Sequence, residues 1–457
     1  MSRLFSKLKA LLRDKDERIL LINILLAFAV KGLSLLVSLF SMPLYIRYFA
    51  DNDVLGIWYT VLSVLSWITL CDLGLGNGLR NYFTTAYTTH DTLRGKKYVS
   101  STYLSLSLII LPILFLGCIA LPFLDLNSFL KIHPELLSPD TLLVSVTILL
   151  LGVGINFILK SVTAIIYAIQ RSSLNNIISL IISVLPLLYI LIAPNGTLSQ
   201  NLIRLSVVHV LAINLPLLIA TVILFTGKCK EYAPSFKTFD TATAKSMLGM
   251  GMKFFAAQLF FMFLMSTNEL FITRMFSADY VVEYSAYYKI FMLIGSLFML
   301  SLTPLWSRVT KDLAEKKYRK IYKINRFLYF LSAAAAVLEL LLVPFLQWIF
   351  NFWLKEDSFR VNISTALIFA VFGGLYICNI VLTTVANGMG ELKTQAIIYG
   401  IGAVLKIPGI LFLQTVHNAW SVVVLYNCIV LIIFCTIQWF WLKKRLQTLL
   451  ETESACN

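Results

Sequence analysis

Six cations stand where cations are costly. Of the 38 Lys and Arg in this chain of 457 residues, Lys31, Arg80, Lys160, Lys253, Lys289 and Lys406 fall inside long apolar runs or close to their ends. A cation at the centre of a hydrocarbon layer costs at least roughly 2.5–3.5 kcal/mol on insertion scales, so it faces a bundle interior or a wet cavity. Such groups gathered in one bundle are the chemistry that holds a polyanion. Charge-assisted bonds to phosphate oxygens are strong in a partly dry place. Arg grips a phosphate bidentately, whereas Lys acts as a point charge. Three carboxylates also lie deep: Asp72, Glu269 and Glu339. They are expected to be partners of the cations or ion-coupling groups.

Depth ranks the candidates. Lys31 lies too far into its run to snorkel comfortably, while Lys289 and Lys253 stand closer to the ends of theirs. Arg80 follows Gly74, Gly76 and Gly78, which permit a bend or a close helix contact. Lys31, Arg80, Lys253 and Lys289 are therefore the expected substrate-binding cations. A structural role is preferred for Lys160 and Lys406. Glu269, then Glu339, are the expected coupling residues for Na⁺ or H⁺, with permanent pairing to Lys289 and Lys406 as the structural alternative.

The elements that position these residues follow from hydropathy. The chain is 59% hydrophobic and 13% charged. Its apolar runs are Ile19–Ile46, Val54–Cys71, Tyr103–Leu124, Leu142–Leu159, Ile177–Ala193, Val207–Phe225, Phe254–Ile272, Tyr284–Trp306, Phe327–Phe350, Ala366–Ala386, Ala396–Leu413 and Trp420–Trp441. Each is near or above the ~17–25 residues that cross a bilayer as a helix. The expected class is an all-α integral membrane protein of twelve transmembrane helices. With a cytoplasmic N-terminus, 26 Lys and Arg fall in inner segments and six in outer ones. The positive-inside rule then puts both termini in the cytoplasm. The net charge of +15 is mostly this topology signal, which leaves no case for nucleic acid. Ala27-Phe28-Ala29 resembles a signal-cleavage site, but the apolar run continues to Ile46, so cleavage is not expected.

The second half echoes the first. Arg47, Phe49, Val54 and Leu55 match Arg274, Phe276, Val281 and Val282 at one shared offset, and a slip of one residue aligns Arg80 with Arg308. Parallel repeats of six helices predict two lobes around a central cavity. The expected organisation is an amphipathic segment (1–18), an N-lobe (19–226), a cytoplasmic linker (227–245), a C-lobe (246–443) and a tail (444–457).

Gly56-Ile57-Trp58 and Asp72-Leu73-Gly74-Leu75-Gly76-Asn77-Gly78-Leu79-Arg80-Asn81 resemble the helix-2 signature of the O-antigen type polysaccharide flippases. These belong to the multidrug/oligosaccharidyl-lipid/polysaccharide exporter superfamily. Asn268-Glu269-Leu270-Phe271-Ile272 and Ala386-Asn387-Gly388-Met389-Gly390 resemble its helix 7–8 junction and helix 10–11 turn. The resemblance implies a polyprenyl-diphosphate-linked oligosaccharide moved from inner to outer leaflet by alternating access. It implies the bacterial inner membrane as location, its lipids as surroundings, and a polymerase and glycosyltransferases of the same pathway as partners. Export of small cationic molecules by the same fold is the alternative. Six cations against three carboxylates argue for the anion.

Enzyme chemistry is poorly supported. The seven cysteines and four histidines share no ligand spacing, so no metal site is expected. Nor is there a P-loop. A membrane glycosyltransferase or polymerase would need an acid cluster or a large outer loop, and Asp125–Asp140 supplies neither. No cofactor is expected beyond a coupling ion.

Overall fold

A computed structural model describes residues 15–49, 58, 74–127, 137–194, 196–276, 279–354 and 360–455. The described chain forms two compact units, Met1–Met252 and Lys253–Asn457.

Among the described residues every element longer than one turn is an α-helix. The first unit holds α1 (Lys15–Phe49), α2 (Leu75–Thr88), α3 (Thr92–Ala120), α4 (Pro139–Leu159), α5 (Ser161–Ala168), α6 (Ser172–Ile192) and α7 (Leu198–Thr226). Helix α8 (Thr241–Ser266) crosses the boundary. The second unit continues with α9 (Asn268–Met275), α10 (Asp279–Ala314), α11 (Tyr318–Leu342), α12 (Leu346–Leu354), α13 (Ile363–Gly388), α14 (Lys393–Val404), α15 (Lys406–Val416) and α16 (Val422–Ala455). Among the described residues nine spans are long and apolar enough to cross a membrane, and α14–α15 add a pair bent by 61°. The protein is thus a multi-pass membrane protein. The elements fall in order on the expected apolar runs. Val54–Cys71 lies outside the described residues except for Trp58.

The repeat is written into the helix ends. Helices α2, α5, α10 and α13 all stop with a residue of positive φ: His90 (56°), Gln170 (61°), Lys316 (57°) and Gly390 (73°). Each end makes the same bond pair. The residue after the left-handed one donates to the carbonyl five residues back, as in Asp91 N to Ala86 O at 2.9 Å and Lys317 N to Asp312 O at 2.8 Å. Arg171 N to Ile166 O (3.0 Å) and Glu391 N to Ala386 O (2.9 Å) repeat it. These are Schellman caps, which satisfy carbonyls the helix leaves open. In order along each unit, His90 matches Lys316 and Gln170 matches Gly390. Only Gly390 sits there without a Cβ penalty, which for other residues is roughly 1–2 kcal/mol. Lys316→Gly is accordingly expected to stabilise the protein by about 1 kcal/mol, read as a higher Tm in detergent. An unchanged or lower Tm would contradict the strain.

Polar side chains tie turns to neighbouring helices. Asn23 of α1 donates to Gln170 O (2.9 Å) and accepts from Ser173 N (3.1 Å), so it clamps the α5–α6 turn. Asn201 of α7 donates to Tyr48 O while Tyr48 Oη donates back to Asn201 O, at 3.2 and 3.1 Å.

The segment after α7 is docked, not loose. Ser100 Oγ of α3 accepts from Ser235 N (3.0 Å) and meets Thr238 Oγ1 (2.8 Å). Tyr232 packs edge-on against Phe83, over Gly95, where a Cβ would lie 2.5 Å from its ring. At the start of α8, Asp240 accepts from Thr243 N (2.8 Å), and the Thr243 hydroxyl and amide hold its carboxyl below the usual range. That cap is present at neutral pH and is lost as pH falls through the carboxyl's lowered pKa. Burial under the docked segment pushes the Cys229 thiol up to about 11. At pH 8 about one thiol in a thousand is then thiolate, the reactive form. In a variant whose only cysteine is Cys229, maleimide labelling is expected to be slow. Gly95→Leu, by displacing Tyr232, is expected to speed it. Equal rates in both would mean the segment does not depend on this seat.

Candidate functional site

Two breaks in the second unit face one another. Helix α8 stops at Ser266 and α9 starts at Asn268, with Thr267 between them at φ −96°, ψ 2°. Helix α14 stops at Val404 and α15 starts at Lys406. Pro408 accounts for the second break, since its ring clashes with the carbonyl four residues back and it has no N–H to give. The opened turn is refilled from α16: Tyr426 Oη donates to Gly402 O at 2.7 Å.

Lys406 joins the two breaks. It is fully buried. Its Nζ donates to Leu264 O (2.5 Å), Thr267 Oγ1 (2.9 Å) and Asn268 Oδ1 (2.8 Å). The Phe271 ring lies 5.2 Å away on one side. Leu264 O sits in the last turn of α8, where helix carbonyls carry partial negative charge. Asn268 is the hub: its Nδ2 donates to Tyr284 Oη (3.1 Å), and Asn427 Nδ2 of α16 donates to its Oδ1 (2.9 Å). Among the described residues no ion pair links Lys406 to a carboxylate.

Glu339 is the opposite case. The inward stripe of α11 runs Ile321, Asn325, Leu328, Ser332, Ala335, Glu339, alternating steps of four and three. That register packs α11 along α13, and it turns Glu339 fully inside. Gly373 of α13 leaves the space, because a Cβ there would lie 2.9 Å from Glu339 Cδ and Oε1. Neither carboxyl oxygen has a hydrogen-bond partner among the described residues. An ionised carboxylate left this way costs several kcal/mol, so the group must carry a proton or take up a cation.

The other expected site residues are dispersed. Arg80 on α2 is buried, with Cζ 4.5 Å from the Tyr167 ring centroid on α5. Lys160 is half-buried at the α4–α5 junction. Lys253 on α8, Lys289 on α10 and Glu269 on α9 are exposed on their unit. Lys31 lies within α1 and its side chain is outside the described residues, as is Asp72. Lys406 does not pair with Glu339; its partners are neutral oxygens. The reading from sequence singled out Glu269 and passed over its neighbour Asn268, which is the buried hub. It also missed Asp312, which holds the buried Arg308 guanidinium through Nε at 3.0 Å. Spacing was the available signal: Arg308 and Asp312 stand four apart on one helix face.

The MatE family model matches residues 250–412. No curated protein matches the chain. Among solved structures, the Vibrio cholerae MATE transporter VcmN in its bent form is 14% identical, with TM-score 0.69, covering 94% of this chain and 99% of that one. A MATE in the straight conformation is 14% identical, with TM-score 0.72, covering 96% and 98%. An outward-facing multidrug resistance MATE family transporter of the MOP superfamily is 15% identical, with TM-score 0.72, covering 97% and 98%. The chain has the MATE transporter fold, and its second half carries the MatE match. The proteins it resembles are transporters, not enzymes.

These findings correct the expected flippase function. The similarity runs to MATE exporters rather than to carriers of lipid-linked sugars. The physical reason lies in the cations that suggested a polyanion. Lys406 is held by the neutral oxygens of a helix break, and Arg80 is buried against an aromatic face. A count of intramembrane cations is therefore not a count of cations open to a substrate.

Proposed function

We propose that the protein is a MATE-like exporter of small molecules, working by alternating access and driven by a cation gradient. The observation that carries this reading is the fold similarity over nearly the whole chain, joined to the MatE match in the second half. MATE transporters need no cofactor and are often coupled to Na⁺ or H⁺. Glu339 is the coupling group in this reading, because a buried carboxyl with no hydrogen-bond partner among the described residues binds a proton or a cation in one state and releases it in another. A ligand shifts such an equilibrium only by its differential affinity for the two states.

Ethidium is a suitable first probe, as a lipophilic cation. Cells lacking their own exporters and expressing this chain should accumulate less ethidium than cells with the empty vector. Collapse of the ion gradients should remove the difference. Equal accumulation across a panel of cationic and neutral dyes, with normal membrane expression, would overturn the reading.

In this reading both termini and the docked segment after α7 face the cytoplasm, supported by the basic inner segments. A single cysteine at Lys237, exposed beside that segment, should react with an impermeant maleimide only in inverted vesicles. Labelling in intact cells would reverse the topology.

A further inference from the structure

We propose that Lys406 is a built-in monovalent cation. Its ammonium fills an oxygen-lined site between the two broken helices that would otherwise require a dissolved ion such as Na⁺. The donor set supports this. A backbone carbonyl, a hydroxyl and an amide oxygen converge on one point, from Leu264, Thr267 and Asn268. All three are neutral, and all come from the break between α8 and α9. Broken membrane helices coordinate cations with just such unwound carbonyls and C-terminal helix ends.

The chain delivers its own cation by a dedicated route. Lys406 is the first residue of α15. The bend of 61° between α14 and α15 breaks the helix immediately before it. That bend is held by two further adaptations. Tyr426 Oη caps Gly402 O, and Gly409 makes room for the Tyr426 ring, which would lie 2.2 Å from a Cβ there.

The environment excludes the simpler explanation of a snorkelling or ion-paired lysine. Lys406 has no exposed surface and no carboxylate partner among the described residues. A compact ammonium on a flexible stem is the side chain closest to a free monovalent ion. Its tether removes the concentration dependence that a dissolved ion would impose, because the second binding event becomes intramolecular. The break between α8 and α9 is therefore occupied at any salt concentration. The inference concerns what holds the second unit together and does not depend on what is exported.

The full-length protein in detergent tests it by thermal unfolding in NaCl against choline chloride at equal ionic strength. Any gain of wild type in NaCl should be matched by Asn268→Ala, because the site between the breaks is already filled. Lys406→Ala should unfold several degrees lower in choline and regain part of the loss, saturably, with Na⁺ or methylammonium, as a ligand that binds only the folded state stabilises it by mass action. Adding Asn268→Ala should abolish the rescue. A folded Lys406→Ala that neither ion rescues would overturn the proposal. Where Lys406→Ala does not fold, wild type and Asn268→Ala decide: Na⁺-specific stabilisation of wild type that Asn268→Ala removes would show a dissolved ion in the site, and a gain in NaCl that Asn268→Ala matches supports the tethered one.

Discussion

Glu339→Gln is expected to make the protein more stable and less able to work. The carboxyl is fully buried beside Gly373, and neither oxygen has a hydrogen-bond partner among the described residues. Replacing a buried ionisable group by one that never ionises removes a standing cost, and apolar replacements of buried charges often gain ~1–4 kcal/mol. Glu339→Met should therefore raise Tm further than Glu339→Gln. Transport should move the other way. Coupling free energies are typically ~1–3 kcal/mol, so gradient-driven export should fall roughly tenfold or more. The opposed directions separate coupling from packing, because a merely structural Glu339 would change stability alone. Ethidium accumulation in cells and Tm in detergent read the two effects. Full export by Glu339→Gln at normal expression would remove Glu339 from the mechanism and leave the exporter reading standing.

The architecture was legible in the sequence because one physical quantity dominates it. Without water to satisfy it, the backbone of an apolar run closes its own hydrogen bonds and forms a helix. Helices such as α3, α4, α7 and α13 follow from hydropathy alone. A repeat is faint in the sequence matches, and the paired caps at His90 with Lys316 and Gln170 with Gly390 echo it in backbone form. The preference for a structural Lys406 also agrees with its partners. What hydropathy cannot encode is where a polar side chain points within an apolar run. Asn268 and Glu269 are neighbours, yet a single step along α9 turns Asn268 inward and Glu269 outward. Charge drew attention to the glutamate, whereas the buried amide has both a donor and an acceptor to organise a break. Function failed for a related reason. The same six cations could hold a substrate or hold the fold, and composition does not record which.

Asp312→Ala is expected to be the most destabilising single change described. Arg308 and Asp312 lie on the last turns of α10 with side chains 3% and 0% exposed. The order is unfavourable for a helix end, where the dipole disfavours a carboxylate and favours a cation. Asp312 is also already in use through its backbone, since its carbonyl accepts from Lys317 N in the cap. Its side chain is thus kept there for Arg308 rather than for the helix. Removing one partner of a buried pair costs ~3–5 kcal/mol, because the remaining charge is left inside. In the first unit the matching cation, Arg80, is also buried and lies over the Tyr167 ring. Asp312→Ala should lower Tm sharply, while Arg308→Met with Asp312→Leu should return it to near wild type. A double variant as unstable as the single one would show that Arg308 is needed for its other contacts, and that the loss in Asp312→Ala is not the stranded charge.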